Sequence, residues 1–242
     1  MKKIIFRILL ILIIAAAVIT GVMKLSGFVV VNSSGIHITA GSVFPKPGDK
    51  SGTIKVACVG DSITYGDTLS DPETEAYPAR LKEKLGSPYN VTNYGYGGTG
   101  VQKNARSSYW NNEEYKLSRD ADPDAVIIML GTNDTWEFNW TDADTVLADY
   151  AEFVESYASL SSHPDIILMT EPKMFGNYGD FNRRLMKINA GVRKYANNNG
   201  YQLIDLYKAT KKHPEYFTYD GVHPDADGAE YIASYIYDKL MK

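Results

Sequence analysis

From residue 54 onward, short continuous apolar runs alternate with stretches whose apolar positions recur every three or four residues. Ile54–Val59 (IKVACV), Ala125–Leu130 (AVIIML), Ile166–Met169 and Gln202–Leu206 read as strands, with Asn90–Tyr94 as a weaker one. Continuous runs of that length suit strands buried on both faces. Between them, Ala76–Leu85, Asp142–Leu160, Phe181–Asn197 and Ala226–Leu240 read as helices. In Asp142–Leu160 the helical spacing falls on Val146, Leu147, Tyr150, Phe153, Val154 and Tyr157. The alternation predicts an α/β fold, a parallel sheet with helices on both faces. Ligands of such sheets sit beyond the carboxyl ends of the strands, so chemistry is expected in the loops at those ends. No internal repeat is visible.

Upstream the pattern changes. Ile8–Met23 is a run of 16 residues without a charge, preceded by Lys2, Lys3 and Arg7. Such flanking charge keeps the N-terminus cytoplasmic and exports the downstream chain. Residues 1–25 therefore read as a signal anchor, an apolar helix, or as a cleaved signal peptide. A cut after Ala15-Ala16-Ala17 leaves a short apolar core, and the apolar run continues through Val18–Met23, which favours the anchor. A lipid anchor is disfavoured, because the one cysteine is Cys58. Residues 26–53 read as a connector. Within it Phe28–Val31 and Ile36–Ile38 are short strand candidates, and residues 45–52 (PKPGDKSG) have linker composition. The globular domain is expected over residues 54–242.

Composition narrows the class. The chain of 242 residues is 44% hydrophobic and 22% charged, ordinary for a globular protein. Residues 1–24 carry four basic residues and no acid, while the remainder holds 21 basic and 29 acidic residues, a balance of −8. An acidic body is a poor match for a phosphate backbone, so no nucleic-acid partner is expected. A single cysteine excludes an intramolecular disulfide and a multi-cysteine metal cluster. His37, His163, His213 and His223 are scattered, with no HExxH.

Four loops carry candidate chemistry. Gly60-Asp61-Ser62-Ile63-Thr64-Tyr65-Gly66 presents a serine after the first strand. A serine hydroxyl needs a base to become a nucleophile, and Ser62 alone would equally suit a helix N-cap. Asn93-Tyr94-Gly95-Tyr96-Gly97-Gly98-Thr99-Gly100 offers bare backbone N–H donors. Through Gly95, Gly97 and Gly100 it also matches the GxGxxG dinucleotide fingerprint, but the next good strand does not end in the acid that fingerprint requires. Gly131-Thr132-Asn133-Asp134 comes directly after the strand at 125–130. An asparagine there can aim its N–H at a developing oxyanion, or make a local turn. Asp220-Gly221-Val222-His223-Pro224 holds the only histidine with an acid three residues before it. A base histidine needs one ring nitrogen on the serine and the other on an orienting acceptor; the same residues also suit a surface turn.

In this order the four loops resemble the SGNH hydrolases, a branch of the GDSL esterase/lipase family. The resemblance spans about Ile54–Leu240. It implies Ser62 as nucleophile, His223 as base and Asp220 as the orienting acid. It implies an oxyanion hole formed by the Ser62 and Gly98 backbone N–H groups and the Asn133 side chain, with Gly97 as the alternative to Gly98. It also implies a three-layer α/β/α sandwich around a parallel sheet of about five strands, and chemistry without a metal or organic cofactor. The GxSxG elbow of the α/β-hydrolases is absent, because Thr64 stands where its second glycine would be.

The implied activity is ester hydrolysis. An exported member of this form resembles bacterial carbohydrate O-acetylesterases, so acetyl esters on carbohydrate are the expected substrate. No long apolar lid segment is visible, which argues against a long-chain lipase. A lysophospholipase, thioesterase or general carboxylesterase is the alternative. A non-catalytic glycan-binding relative comes third, opposed by the intact Ser62, Asn133, Asp220 and His223. Trp136-Glu137-Phe138-Asn139-Trp140 adjoins the third loop and Trp110 lies in another; such rings stack on sugars or simply pack. The expected partners are a small-molecule or glycan ester and, through an uncleaved N-terminus, the membrane. The expected location is outside the cytoplasm, cell-surface or secreted. Cys58 reads as a buried hydrophobe, His163 and His213 as solvated, and Asp61 and Asp134 as structural acceptors beside the site.

Overall fold

The computed structural model describes residues 27–32, 35–40 and 44–242. The apolar segment expected within residues 1–25 lies outside the described residues. Among the described residues, no helix is long and apolar enough to cross a membrane. The two strand candidates of the connector are β1 (Gly27–Asn32) and β2 (Gly35–Ala40), an antiparallel pair with Val29 opposite Ile38. This pair belongs to one compact unit of the chain, and Ser42–Lys242 form the other.

The second unit starts earlier than the sequence suggests. Phe44 is 1% exposed and stacks on Tyr89. The Tyr89 hydroxyl donates to the Pro45 carbonyl at 2.8 Å, and Lys46 Nζ donates to the Leu240 carbonyl at 2.8 Å. One apolar ring before the proline-rich stretch is enough to bring residues 44–46 onto the domain.

Its centre is a five-stranded parallel sheet of β3 (Ile54–Gly60), β4 (Tyr89–Gly95), β5 (Ala125–Met129), β6 (Asp165–Met169) and β7 (Gln202–Ile204), in the order β4-β3-β5-β6-β7. The helices are α1 (Ser62–Tyr65), α2 (Pro72–Glu75), α3 (Tyr77–Leu85), α4 (Glu113–Asp120), α5 (Ala143–Ala158), α6 (Gly179–Asn199), α7 (Leu206–Thr210) and α8 (Ala226–Met241). Strand side chains alternate between two cores, as a period of two dictates. Val56, Cys58, Ile127 and Met129 pack with Leu81 of α3 and with Ile232 and Ile236 of α8. Ala57, Val59, Val126 and Ile128 pack with Tyr150 and Phe153 of α5 and with Ile188 and Val192 of α6. The result is the three-layer α/β/α sandwich. Burying each such aliphatic side chain contributes about 1.5–3 kcal/mol.

Aspartates start several of these helices. Asp142 accepts from the Thr145 N–H at 2.9 Å and Asp225 from the Gly228 N–H at 2.8 Å. The strand order places the functional end. From β3 the chain moves outward to β4, then returns to the other side of β3 as β5. The connections on the two sides of β3 run in opposite directions, which opens a crevice beyond its carboxyl end.

Candidate active site

Ser62 opens α1 at the end of β3, beside that crevice, and is 6% exposed. Its Oγ lies 2.9 Å from His223 Nε2, and His223 Nδ1 lies 2.6 Å from Asp220 Oδ2. The partners fix the proton positions. An ionised carboxylate only accepts, so Nδ1 carries the hydrogen and Nε2 is left to accept from the serine.

The Asp220–His223 arm is built locally. Asp220 Oδ1 accepts from the Thr218 hydroxyl at 2.8 Å and from the N–H groups of Val222 and His223 at 2.8 and 3.0 Å. Partial burial pushes the Asp220 carboxyl up, but the His223 ring and these donors outweigh it and bring it down to about 2. Gly221, with φ +70°, turns the loop; a Cβ there would lie 2.2 Å from the Phe175 carbonyl oxygen.

The third loop is built from distant pieces. Asn133 Nδ2 donates to Asp61 Oδ2 at 3.1 Å and to the Thr99 carbonyl at 3.0 Å. Its Oδ1 accepts from Trp136 Nε1 at 3.3 Å, and that indole can only donate, which fixes which way the amide faces. Asn139 Nδ2 donates to the Asn133 carbonyl at 2.8 Å, and Arg184 Nη1 to the Thr135 carbonyl at 2.7 Å. Gly98 is exposed with φ +75°, and nothing lies within 4 Å of a Cβ built on it. Gly97 instead abuts Asp67, whose Oδ2 would be 2.6 Å from a Cβ.

Behind Ser62 lie three buried acids. Asp61, Asp134 and Glu171 are 0%, 0% and 1% exposed. Among the described residues no lysine or arginine pairs with any of them. Asp134 accepts from the Val101 and Gln102 N–H groups, both at 2.9 Å. Asp61 caps α1 through the Ile63 N–H at 3.0 Å. Burial raises Asp61, against the pull of the Ile63 N–H and His223. Burial, reinforced by the Asp61 charge, holds Glu171 well above the ordinary glutamate range. Glu171 Oε2 accepts from the Thr132 hydroxyl at 2.9 Å, while Oε1 is buried with no partner among the described residues. Asn189 grips the Glu171 backbone through both its N–H and its carbonyl, each at 2.9 Å.

Sequence reasoning missed Glu171. The signal was present: Thr170-Glu171 sits directly after the apolar strand β6, the same position relative to a strand as the candidate loops after β3, β4 and β5. Other readings are corrected or resolved. The glycines of the GxGxxG match serve packing: a Cβ at Gly95 would meet the Tyr65 N–H nitrogen at 2.1 Å, and one at Gly100 would meet Asp134 Oδ1 at 2.7 Å. Turns come after this loop, not the helix a dinucleotide fingerprint opens. Trp110 packs on Tyr115 and Phe153 with its N–H on the Val101 carbonyl, and Trp136 packs on Phe181. His213 keeps an exposed side chain while stacking on Tyr216, and its Nδ1 lies 2.8 Å from Glu215. His163 is exposed. Cys58 is buried, and burial pushes its thiol up.

A serine at the carboxyl end of a parallel strand, joined through histidine to aspartate, is an arrangement that serine hydrolases use. The model of the GDSL-like lipase/acylhydrolase family matches residues 58–231, and the chain belongs to that family. A curated relative, an acetylxylan esterase from Xylanibacter ruminicola, is 28% identical over 209 residues. That match covers 78% of this chain and 44% of the relative, so the chain spans less than half of the relative's length. Solved structures share the fold. A carbohydrate acetylesterase family member from Sinorhizobium meliloti is 17% identical with a TM-score of 0.64, covering 78% of this chain and 100% of that one. An acetylxylan esterase from Geobacillus stearothermophilus is 23% identical with a TM-score of 0.61, covering 78% and 95%.

Proposed function

We propose that this chain is a serine esterase that removes O-acetyl groups from carbohydrate. The observation that carries the chemistry is the hydrogen-bonded chain from Ser62 through His223 to Asp220. In this reading His223 Nε2 takes the Ser62 proton as Oγ attacks the ester carbonyl. Asp220 stabilises the imidazolium and keeps the ring in its orientation. The Ser62 and Gly98 N–H groups and Asn133 Nδ2 receive the oxyanion. As the first residue of a helix, Ser62 has an N–H with no intrahelical acceptor. Asn133 must give up one of its present acceptors, Asp61 or Thr99, to join. His223 then hands its proton to the departing sugar hydroxyl. Water attacks the acetyl-enzyme with His223 as base again, releasing acetate.

The acetyl and carbohydrate specificity is supported by the acetylxylan esterase relative. The charged and apolar pattern of residues 1–25 supports work outside the cytoplasm, tethered or secreted. The test is acetate release from acetylated xylan, run beside p-nitrophenyl esters of increasing chain length, with Ser62→Ala as control. Ser62-dependent acetate release with preference for acetyl over octanoyl esters is the expected result. Preference for acyl chains of eight carbons or more would replace this reading with a lipase or thioesterase one.

A further inference from the structure

The free edge of the sheet borders a groove that the chemistry at Ser62 does not use. β4 ends the strand order, and along its outer side runs an open groove of about 730 Å³. That volume is in the range of ligand sites. The groove is tied to the candidate active site through α1. Tyr65, on its wall, closes the same helical turn that Ser62 opens. Asn93, also on the wall, donates from Nδ2 to the Tyr65 carbonyl at 3.1 Å.

We propose that this groove is a subsite for an uncharged glycan chain, holding sugar units that flank the acetylated one. The proposal rests on the carbohydrate-esterase reading above. Tyr65 is 46% exposed and offers a ring face of the kind that stacks on the C–H face of a pyranose. It is not an isolated case. Of the six large apolar side chains left exposed among the described residues, four are the aromatics Tyr65, Tyr96, Phe138 and Tyr219, each in or beside one of the four candidate loops. Around Tyr65 the lining mixes apolar side chains with Asn93 and the carboxylates of Asp71, Glu73, Glu83 and Glu114, which can meet sugar hydroxyls. An acyl chain would offer those four carboxylates no hydrogen-bonding partner. A polyuronate or phosphorylated polymer would meet those four carboxylates, offset by the Lys82 ammonium alone among the described lining residues.

The test compares acetate release from acetylated xylobiose and acetylated xylohexaose by the full chain. We expect kcat/KM to be on the order of tenfold higher for the hexamer, as extra subsites contribute binding energy. Tyr65→Ala should flatten that ratio, and so should the exposed charge reversal Glu73→Lys, which stands in if the first variant folds poorly. Glu73→Lys should also raise retention of the Ser62→Ala protein on polygalacturonate. Equal kcat/KM for both lengths would overturn the groove while leaving the esterase reading intact. Hydrolysis of p-nitrophenyl acetate with no acetate from either saccharide would overturn both. Retention of the Ser62→Ala protein by an oligolysine peptide, and not by xylohexaose, would reassign the groove to a cationic peptide.

Discussion

Two arms meet at the Asp61-Ser62 turn, one on each residue, and they are built in opposite ways. The Asp220–His223 arm spans three residues and gets its donors from its own loop. The Asn133 arm joins groups 72 and 34 residues away, Asp61 and Thr99, and is backed by Glu171 from the end of β6. Their acids differ accordingly. Asp220 is half-buried, rich in donors and ionised down to about 2. Asp61 and Glu171 are fully enclosed, have no cation pair among the described residues, and are pushed toward their protonated forms. A local turn can surround a charge with backbone N–H groups. Loops converging from separate strands close over their acids before enough donors are gathered, and the remaining cost falls on ionisation.

Variants of the two arms should separate these roles. His223→Ala is expected to lower kcat about a thousandfold or more with Tm little changed. Asn133→Ala is expected to cost about 10²–10³ in kcat, with KM nearly unchanged. Steady-state kinetics on p-nitrophenyl acetate reads both, and a His223→Ala variant keeping a tenth of the activity would remove that arm from the chemistry. A smaller effect is expected at Glu171. Glu171→Ala should destabilise by about 1–3 kcal/mol, because it strands the Thr132 hydroxyl in the interior. Glu171→Gln should be far milder, since an amide resembles a neutral carboxyl; a Gln variant as damaged as Ala in denaturant melts would show that Glu171 works as a charge.

The smallest effect is on pH dependence. Asp61 is raised to about 7, so it binds its proton more tightly folded than unfolded. Its stabilising contribution is full below the unfolded value of about 3.9 and is lost as pH rises toward about 7. Asp220 works with the opposite sign: its contribution is present above about 3.9 and lost as pH falls toward about 2. Asp61→Asn should therefore flatten the decline in stability between about pH 4 and 7 while leaving the acid limb in place. Identical slopes for the variant and the parent in urea titrations would contradict the buried-acid account.

The same contrast explains what was legible in the sequence. The β-α alternation revealed the sheet and its main helices because both faces of β3 and β5 are apolar with little interruption. Asp220 and His223 stood out because their partnership is written three residues apart. Glu171 did not, because its importance depends on Thr132 and Asn189 arriving from other elements. The tryptophans were left open between stacking on sugars and packing for a related reason. An exposed ring and a packed ring look alike in a sequence, and it is Tyr65, Tyr96, Phe138 and Tyr219 that the fold leaves open. Short helices such as α2 and α7 were missed, since a single turn has no periodicity to read.

The Asn133 amide is already occupied at rest, with Asp61 and Thr99 holding its hydrogens. A neutral ester carbonyl is a weaker acceptor than the Thr99 peptide carbonyl and does not readily displace it. A tetrahedral alkoxide is a full anion and can compete. Under the assignment proposed above, this makes the donor conditional: it is withheld from the incoming substrate and released to the species at the top of the barrier. Affinity for the ground state then stays low by construction, and the asparagine's contribution is concentrated in turnover.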